Sequence, residues 1–232
     1  MTPFLIFLIL ALAIALGVTL DQLAMRRRES FVRDTPLPPG LLDRMRARYP
    51  ELSLKDRQLV ARGLRKYFIA CARARGQPVA MPSRVVGDLW QLFSEDRTRY
   101  KSWSRKATGR VLDVTAPVFL AGDHASNAAL RRCWWHACRE ENLDPRRPTR
   151  LPLLFALDTK LRIAGGLYYF VDEQGRRAKF ARAGDADPGA WTFERERSWT
   201  AADFRDTSFD GGTDGLGDSA GGDGGDGGGG GD

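Results

Sequence analysis

The chain has 232 residues, of which 43% are hydrophobic and 28% charged, with a formal net charge of +7. That length holds one domain with a real core or two small ones. Three cysteines, Cys71, Cys133 and Cys138, are too few and too odd in number for a disulfide framework, and they fit a reducing compartment.

Residues Met1 to Leu20 contain no charged side chain, and Phe4 to Leu16 are almost pure Leu, Ile, Ala and Phe. About 20 helical residues reach about 30 Å, the thickness of a bilayer's hydrocarbon core. The run is apolar on every side, unlike an amphipathic core helix. Asp21 closes it, and Arg26, Arg27 and Arg28 follow, whereas no Lys or Arg precedes it. Positive residues stay cytoplasmic, so the expected topology is N-terminus outside and the larger part inside, as in a bacterial inner membrane. A cleaved signal peptide fits less well. The n-region carries no basic side chain, the apolar core is too long and the exit lacks a small-x-small site. The sequence therefore predicts a single-pass transmembrane anchor over residues 1–24, with Arg26, Arg27 and Arg28 at the membrane surface.

Glu29 to Gly40, with Pro36, Pro38, Pro39 and Gly40, reads as a linker, and Leu41 to Tyr49 as a short helix with Leu41, Leu42 and Met45 on one face. Linker and short helix together take residues 25–52. Ser53 and Asp56 form a capping-box pattern ahead of a helix whose stripe is Leu59, Val60, Leu64, Tyr67, Phe68 and Cys71. Gly76 and Pro78 stop it. Pro82-Ser83 opens a second, longer helix expected to run to about Gly109, with Val86, Leu89, Trp90, Phe93 and Tyr100 buried. A third starts near Asp123 or Ser126, carries Leu130, Cys133, Trp134 and Ala137, and ends at Asn142 and Pro145. Leu153 to Leu161 suggests a short buried helix. Leu167 to Val171 is the best strand candidate, with Ala178 to Ala181 as its partner across a turn. One hairpin is marginal alone and should pack on the helices. The expected fold is mainly α: a transmembrane helix, a basic helical domain over residues 53–200 with a minor β-hairpin, and a Gly/Asp-rich tail from 201 to 232. That tail cannot bury enough apolar area to offset its backbone entropy, so disorder is expected. Its irregular spacing, without a large apolar residue per repeat, argues against calcium binding.

The segment Asp210 to Asp232 holds six Asp and no Lys or Arg, so the rest of the +7 chain carries +13. Such a domain beside an anchor suits anionic inner-leaflet lipids. Thirty of the 36 cations are Arg, which is also the mark of a GC-rich genome. No basic run interleaves with aromatics to track a phosphate backbone, so nucleic acid is a weak candidate partner.

The block Pro82-Ser83-Arg84-Val85-Val86-Gly87-Asp88-Leu89-Trp90-Gln91, then Tyr100, Trp103, Gly109 and Thr115-Ala116-Pro117, resembles that of the glycine-rich-domain-containing proteins and their bacterial relatives. The likeness continues through Leu130-Arg131-Arg132 with Trp134, Cys138-Arg139-Glu140-Glu141, Asp144 to Pro148, and Leu151 to Asp158. It covers roughly residues 53 to 170, and the Gly-rich end suits it. The resemblance implies no enzymatic activity. Relatives usually carry Trp-His at Trp90-Gln91, Cys at Ser104 and paired His at Leu112-Asp113; if those bind a metal, this chain has lost the ligands.

The two histidines, His124 and His136, supply little catalytic machinery, and no HExxH, GxSxG, P-loop or GxGxxG pattern occurs in a suitable context. Cys133 and His136 share a helical face, but Cys138 lies two beyond His136 and points elsewhere, and two ligands do not make a zinc site. The expectation is no cofactor and no metal. Asp88, Trp90, Gln91 and Tyr100 remain as candidate binding residues. The preferred reading is a membrane-tethered module that binds an unidentified protein. The alternatives are an enzyme or degenerate enzyme relative with a polar groove near Asp88, and a membrane-tethered nucleic-acid binder.

Overall fold

The computed structural model describes residues 3–114, 124–145, 148–171, 178–182 and 192–193, with side chains over 4–114, 128–145 and 148–169. The expected Gly/Asp-rich tail, Thr115 to Pro117 and the turn at Asp172 to Gly175 lie outside the described residues.

Helix α1 spans Pro3–Asp34, 32 residues without interruption. It is the one described helix long and apolar enough to cross a membrane. Its apolar side chains from Phe4 to Leu23 are exposed, with none of the described residues covering them. The character changes after Asp21. Met25, Arg28, Glu29 and Val32 lie three, four and seven residues apart, on one face, and this face turns inward until Val32 is fully buried. The expected linker over Glu29 to Gly40 is therefore corrected in its first half. Glu29 to Asp34 is helix, held by burial of Val32 and by contact of Phe31 with Trp103 at 5.6 Å. Arg65 fixes its end: one guanidinium nitrogen donates to the carbonyls of Val32 (2.6 Å), Arg33 (3.1 Å) and Thr35 (2.7 Å). Those are carbonyls a helix C-terminus leaves without partners.

After the Pro36 to Gly40 turn, α2 (Leu41–Arg48) buries Leu41 and Met45. Helix α3 (Leu54–Arg73) starts in the capping box that Ser53 and Asp56 predict, and its stripe of Val60, Leu64, Tyr67, Phe68 and Cys71 forms the centre of the core. Gly63 lets neighbours close in: a Cβ there would sit 2.4 Å from Leu157 Cδ1 and 3.0 Å from Val86 Cγ2.

The expected long helix from Ser83 to Gly109 is two helices, α4 (Arg84–Glu95) and α5 (Arg97–Thr108). Asp96 causes the break. Its backbone leaves the helical region and its carboxylate accepts from Arg99 N–H at 3.1 Å, so it caps α5. The kink lets Trp90, Phe93, Tyr100 and Trp103 converge with Tyr67 and Phe68, with ring centroids 4.6–6.2 Å apart.

Helix α6 (His124–Glu140) packs on α3 and buries Leu130, Cys133, Trp134 and Ala137. It ends where Asn142 takes a positive φ of 56° and Leu143 N–H donates back to the Cys138 carbonyl at 2.9 Å, a Schellman-type closure. Helix α7 (Leu153–Lys160) is short and buried. Strand β1 (Leu167–Val171) pairs antiparallel with β2 (Ala178–Arg182), which pairs with β3 (Thr192–Phe193). The hairpin leans on the helices as expected, Tyr169 meeting Phe155 at 4.9 Å.

Candidate functional site

The four candidate binding residues do not form one site. Trp90 is 1% exposed and Tyr100 5%. The Trp90 indole N–H donates to the Tyr100 hydroxyl at 2.9 Å, and that hydroxyl donates to the Leu112 carbonyl. Burial pushes the Tyr100 phenol up to about 12. Both residues are framework: they bind the α4–α5 corner to the 110–112 segment. Ser104 does the same, donating to the Arg110 carbonyl at 3.1 Å and accepting from Leu112 N–H at 3.0 Å. Asp88 has other surroundings. It accepts from Arg48 at 3.0 Å and from the Tyr49 hydroxyl, which ties α4 to α2. Burial, then the hydrogen bond to Asp88, raises the Tyr49 phenol. Gln91 points into solvent.

Cys71, Cys133 and Cys138 are buried free thiols. Burial pushes Cys71 up to about 12 and raises Cys133 and Cys138 as well. Thiols so raised stay protonated and unreactive at neutral pH. Among the described residues no three His, Cys, Asp or Glu side chains come together as a metal cluster.

Two polar constellations escape the sequence reading. The first is Asp158, on the last turn of α7 and 1% exposed. Its carboxylate accepts from the Ser83 hydroxyl (2.7 Å), Arg84 N–H (2.7 Å), Val85 N–H (3.2 Å) and Leu167 N–H (2.8 Å). It thus satisfies the N-terminus of α4 and the start of β1 at once. Gly166 permits the approach, since a Cβ there would lie 2.8 Å from Asp158 Cβ and 2.9 Å from the Ile163 carbonyl. The signal available in the sequence is an acidic residue ending an otherwise apolar helix.

The second constellation locks α1 to the domain. Glu29 accepts from Arg73 at 2.7 and 2.9 Å, in bidentate geometry. Arg33 reaches both Glu29 and Glu140 at 3.0 Å, and Arg73 also reaches Glu140 at 2.8 Å. The hydrogen bond from Arg73 lowers the Glu29 pKa against the opposing effect of burial. A carboxylate lowered on folding adds stability above its ordinary value near 4.5, and that stability is lost as pH falls through the folded value. A Glu29→Gln variant should therefore melt below the parent at neutral pH, with the gap closing on acidification. Melting temperatures across pH 7 to about 3 check this; a gap that stays constant contradicts it.

Glu141 adds a further tie. Burial raises its pKa, but Arg150, the Leu153 N–H at 2.7 Å and Lys66 at 3.2 Å together outweigh it and leave it lowered.

These features define a helical domain continuous with one helix long enough to span a bilayer. The chain belongs to the UCP032817-like family, whose pattern matches residues 27–187, well over half its length. The resemblance to glycine-rich-domain-containing proteins is thereby corrected. Many of the residues that carried it, Trp90, Tyr100, Trp103, Trp134 and Leu153 to Asp158 among them, serve packing and capping here, and a Gly-rich end is a matter of composition beyond the matched region. No curated protein and no solved structure is detectably similar to the chain.

Proposed function

We propose that this protein is a membrane-tethered interaction module, with the N-terminus outside and the helical domain on the cytoplasmic side. The observation that carries the reading is α1 itself. Its first two thirds expose apolar side chains that none of the described residues of the domain covers, and its last turns are tied to the domain through buried Val32, half-buried Phe31 and the Glu29 and Arg33 ion pairs. A helix built this way transmits its position to the domain instead of merely leashing it. The basic run Arg26 to Arg28 and the three reduced thiols support the orientation. Away from the span, a cavity of about 700 Å³ opens between the Pro36 to Gly40 turn and α3, bordered by Arg33, Arg62, Arg65, Lys66 and Glu140. Glu140 is engaged by Arg33, and the remaining apolar and cationic border suits an acidic segment of a protein partner.

Capture from detergent-solubilised membranes, with the full chain as bait, tests the reading. A specific partner should be retained by the parent and lost by Arg62→Glu, which reverses an exposed charge in the groove without touching the core. Repeated capture that yields no specific partner contradicts it. A reporter fused after Asp232 tests orientation: one that works only in the cytoplasm should be active, and activity of an export-dependent reporter would refute the topology.

A further inference from the structure

We propose that the cavity at the junction of span and domain holds the phosphate headgroup of one anionic phospholipid. The lipid comes from the bilayer that α1 crosses, so the inference rests on the membrane reading above.

The position comes first. The cavity, about 600 Å³, is lined by Met25 of α1, by Arg73, Ala74 and Arg75 at the end of α3, and by Trp135, His136 and Arg139 of α6. Met25 lies one helical turn past Asp21, where the apolar run ends. Arg75 reaches Asp21 at 2.6 Å, which sets it at that same level. The headgroup layer occupies roughly 5–7 Å beyond each side of the hydrocarbon core. The opening therefore lies where phosphates are.

The chemistry agrees. Asp21 engages Arg75, while Glu29 and Glu140 engage Arg73. Arg139 makes no ion pair among the described residues and lies over the Trp135 ring, 5.8 Å from its centroid. Arg26 and Arg27 stand exposed on the adjoining turn of α1. Positive charge thus exceeds negative around the opening. Guanidinium groups present paired N–H donors to phosphate, and a half-exposed Trp suits the polar–apolar boundary. Arg75 has φ of 49°, a left-handed conformation that favours glycine or asparagine. A long cationic side chain thus stands where the turn alone would favour a small one.

The test uses the full chain in nonionic detergent. It is titrated with soluble short-chain phosphatidylglycerol, with the matching phosphatidylcholine and with inorganic phosphate. Melting temperature and lipid retention in native mass spectrometry are the readouts. Phosphatidylglycerol should raise the melting temperature saturably and be retained at one molecule per chain, while the other two have little effect. Arg139→Gln should weaken the effect about tenfold or more, Arg139→Lys should keep only part of it, as a point charge without the paired donors, and Arg46→Gln on α2 should leave it intact. The lipid-free melting temperature of Arg139→Gln should match the parent, since Arg139 is exposed. Equal responses to phosphatidylglycerol and phosphatidylcholine would overturn the proposal. So would a phosphate response equal to that of phosphatidylglycerol, which marks a free-anion site, or an Arg139→Gln response like the parent's. Partner capture with no lipid preference sinks this inference alone; lipid preference with no partner sinks the interaction reading alone.

Discussion

Asp158→Ala is expected to lower the stability of the domain by about 3–5 kcal/mol, from several donors left unsatisfied at about 1–3 kcal/mol each. Four donors converge on this one carboxylate, three of them backbone N–H groups that cannot rotate towards other acceptors. Two of these belong to the first turn of α4, where orphan donors and the helix dipole favour an acceptor. The fourth, Leu167 N–H, starts β1. The change therefore loosens α4, α7 and the hairpin together. For a chain of this size each kcal/mol is worth about 2–4 °C, so the melting temperature should fall by about 10 °C. Asp158→Asn keeps the shape but turns an amide donor towards N–H groups, and should lose somewhat less. Ser83→Ala removes one donor and the α4 cap, at about 1 kcal/mol. Thermal unfolding in detergent measures all three. A loss below about 1 kcal/mol for Asp158→Ala would mean that water or other groups replace the carboxylate easily.

Trp90→Ala should cost a similar amount, about 3–5 kcal/mol, as a large aromatic is removed from a packed site. Its ring lies 5.1 Å from Tyr67 and 6.2 Å from Phe68, and its N–H holds the Tyr100 hydroxyl. Trp90→Phe keeps most of the packing and loses the hydrogen bond, at about 1–2 kcal/mol. The pair separates two roles. A residue that contacts a ligand changes binding when stability is unchanged, whereas a framework residue changes stability first. Unfolding curves for both variants decide; near-parental stability for Trp90→Ala contradicts the framework assignment.

Those residues also indicate what the sequence could and could not tell. Periodicity located α3, α6 and α7, because buried stripes repeat every three or four residues. It also marked Trp90, Phe93 and Tyr100 as inward-facing. It could not show that Asp96 breaks the long helix, since Asp is tolerated within helices and its capping role appears only once its carboxylate meets Arg99 N–H. It could not show that Glu29 to Asp34 continue the anchor. That stretch is polar, and it is helical because α3 and α5 receive it, through Val32, Phe31 and the Arg73–Glu29 pair. Tertiary contacts separated in sequence by 44 residues or more, as in Glu29 with Arg73 or Asp158 with Ser83, leave no local mark. Asp88 and Trp90 are neighbours in sequence but face different partners, Arg48 and Tyr49 for the one and Tyr100 for the other.

The central claim is that span and domain move as one body. Spin labels at Val18 in the span and Arg46 on α2 test it in lipid nanodiscs, by pulsed dipolar spectroscopy. The three native thiols are buried and protonated, so they should not take label. The predicted result is one narrow distance distribution for the parent. Ser30→Pro, which removes a helical hydrogen bond and clashes with the preceding turn at a cost of about 3 kcal/mol, should broaden it. A broad or multi-peaked distribution in the parent itself would show a flexible joint at residues 21–34 and contradict the account.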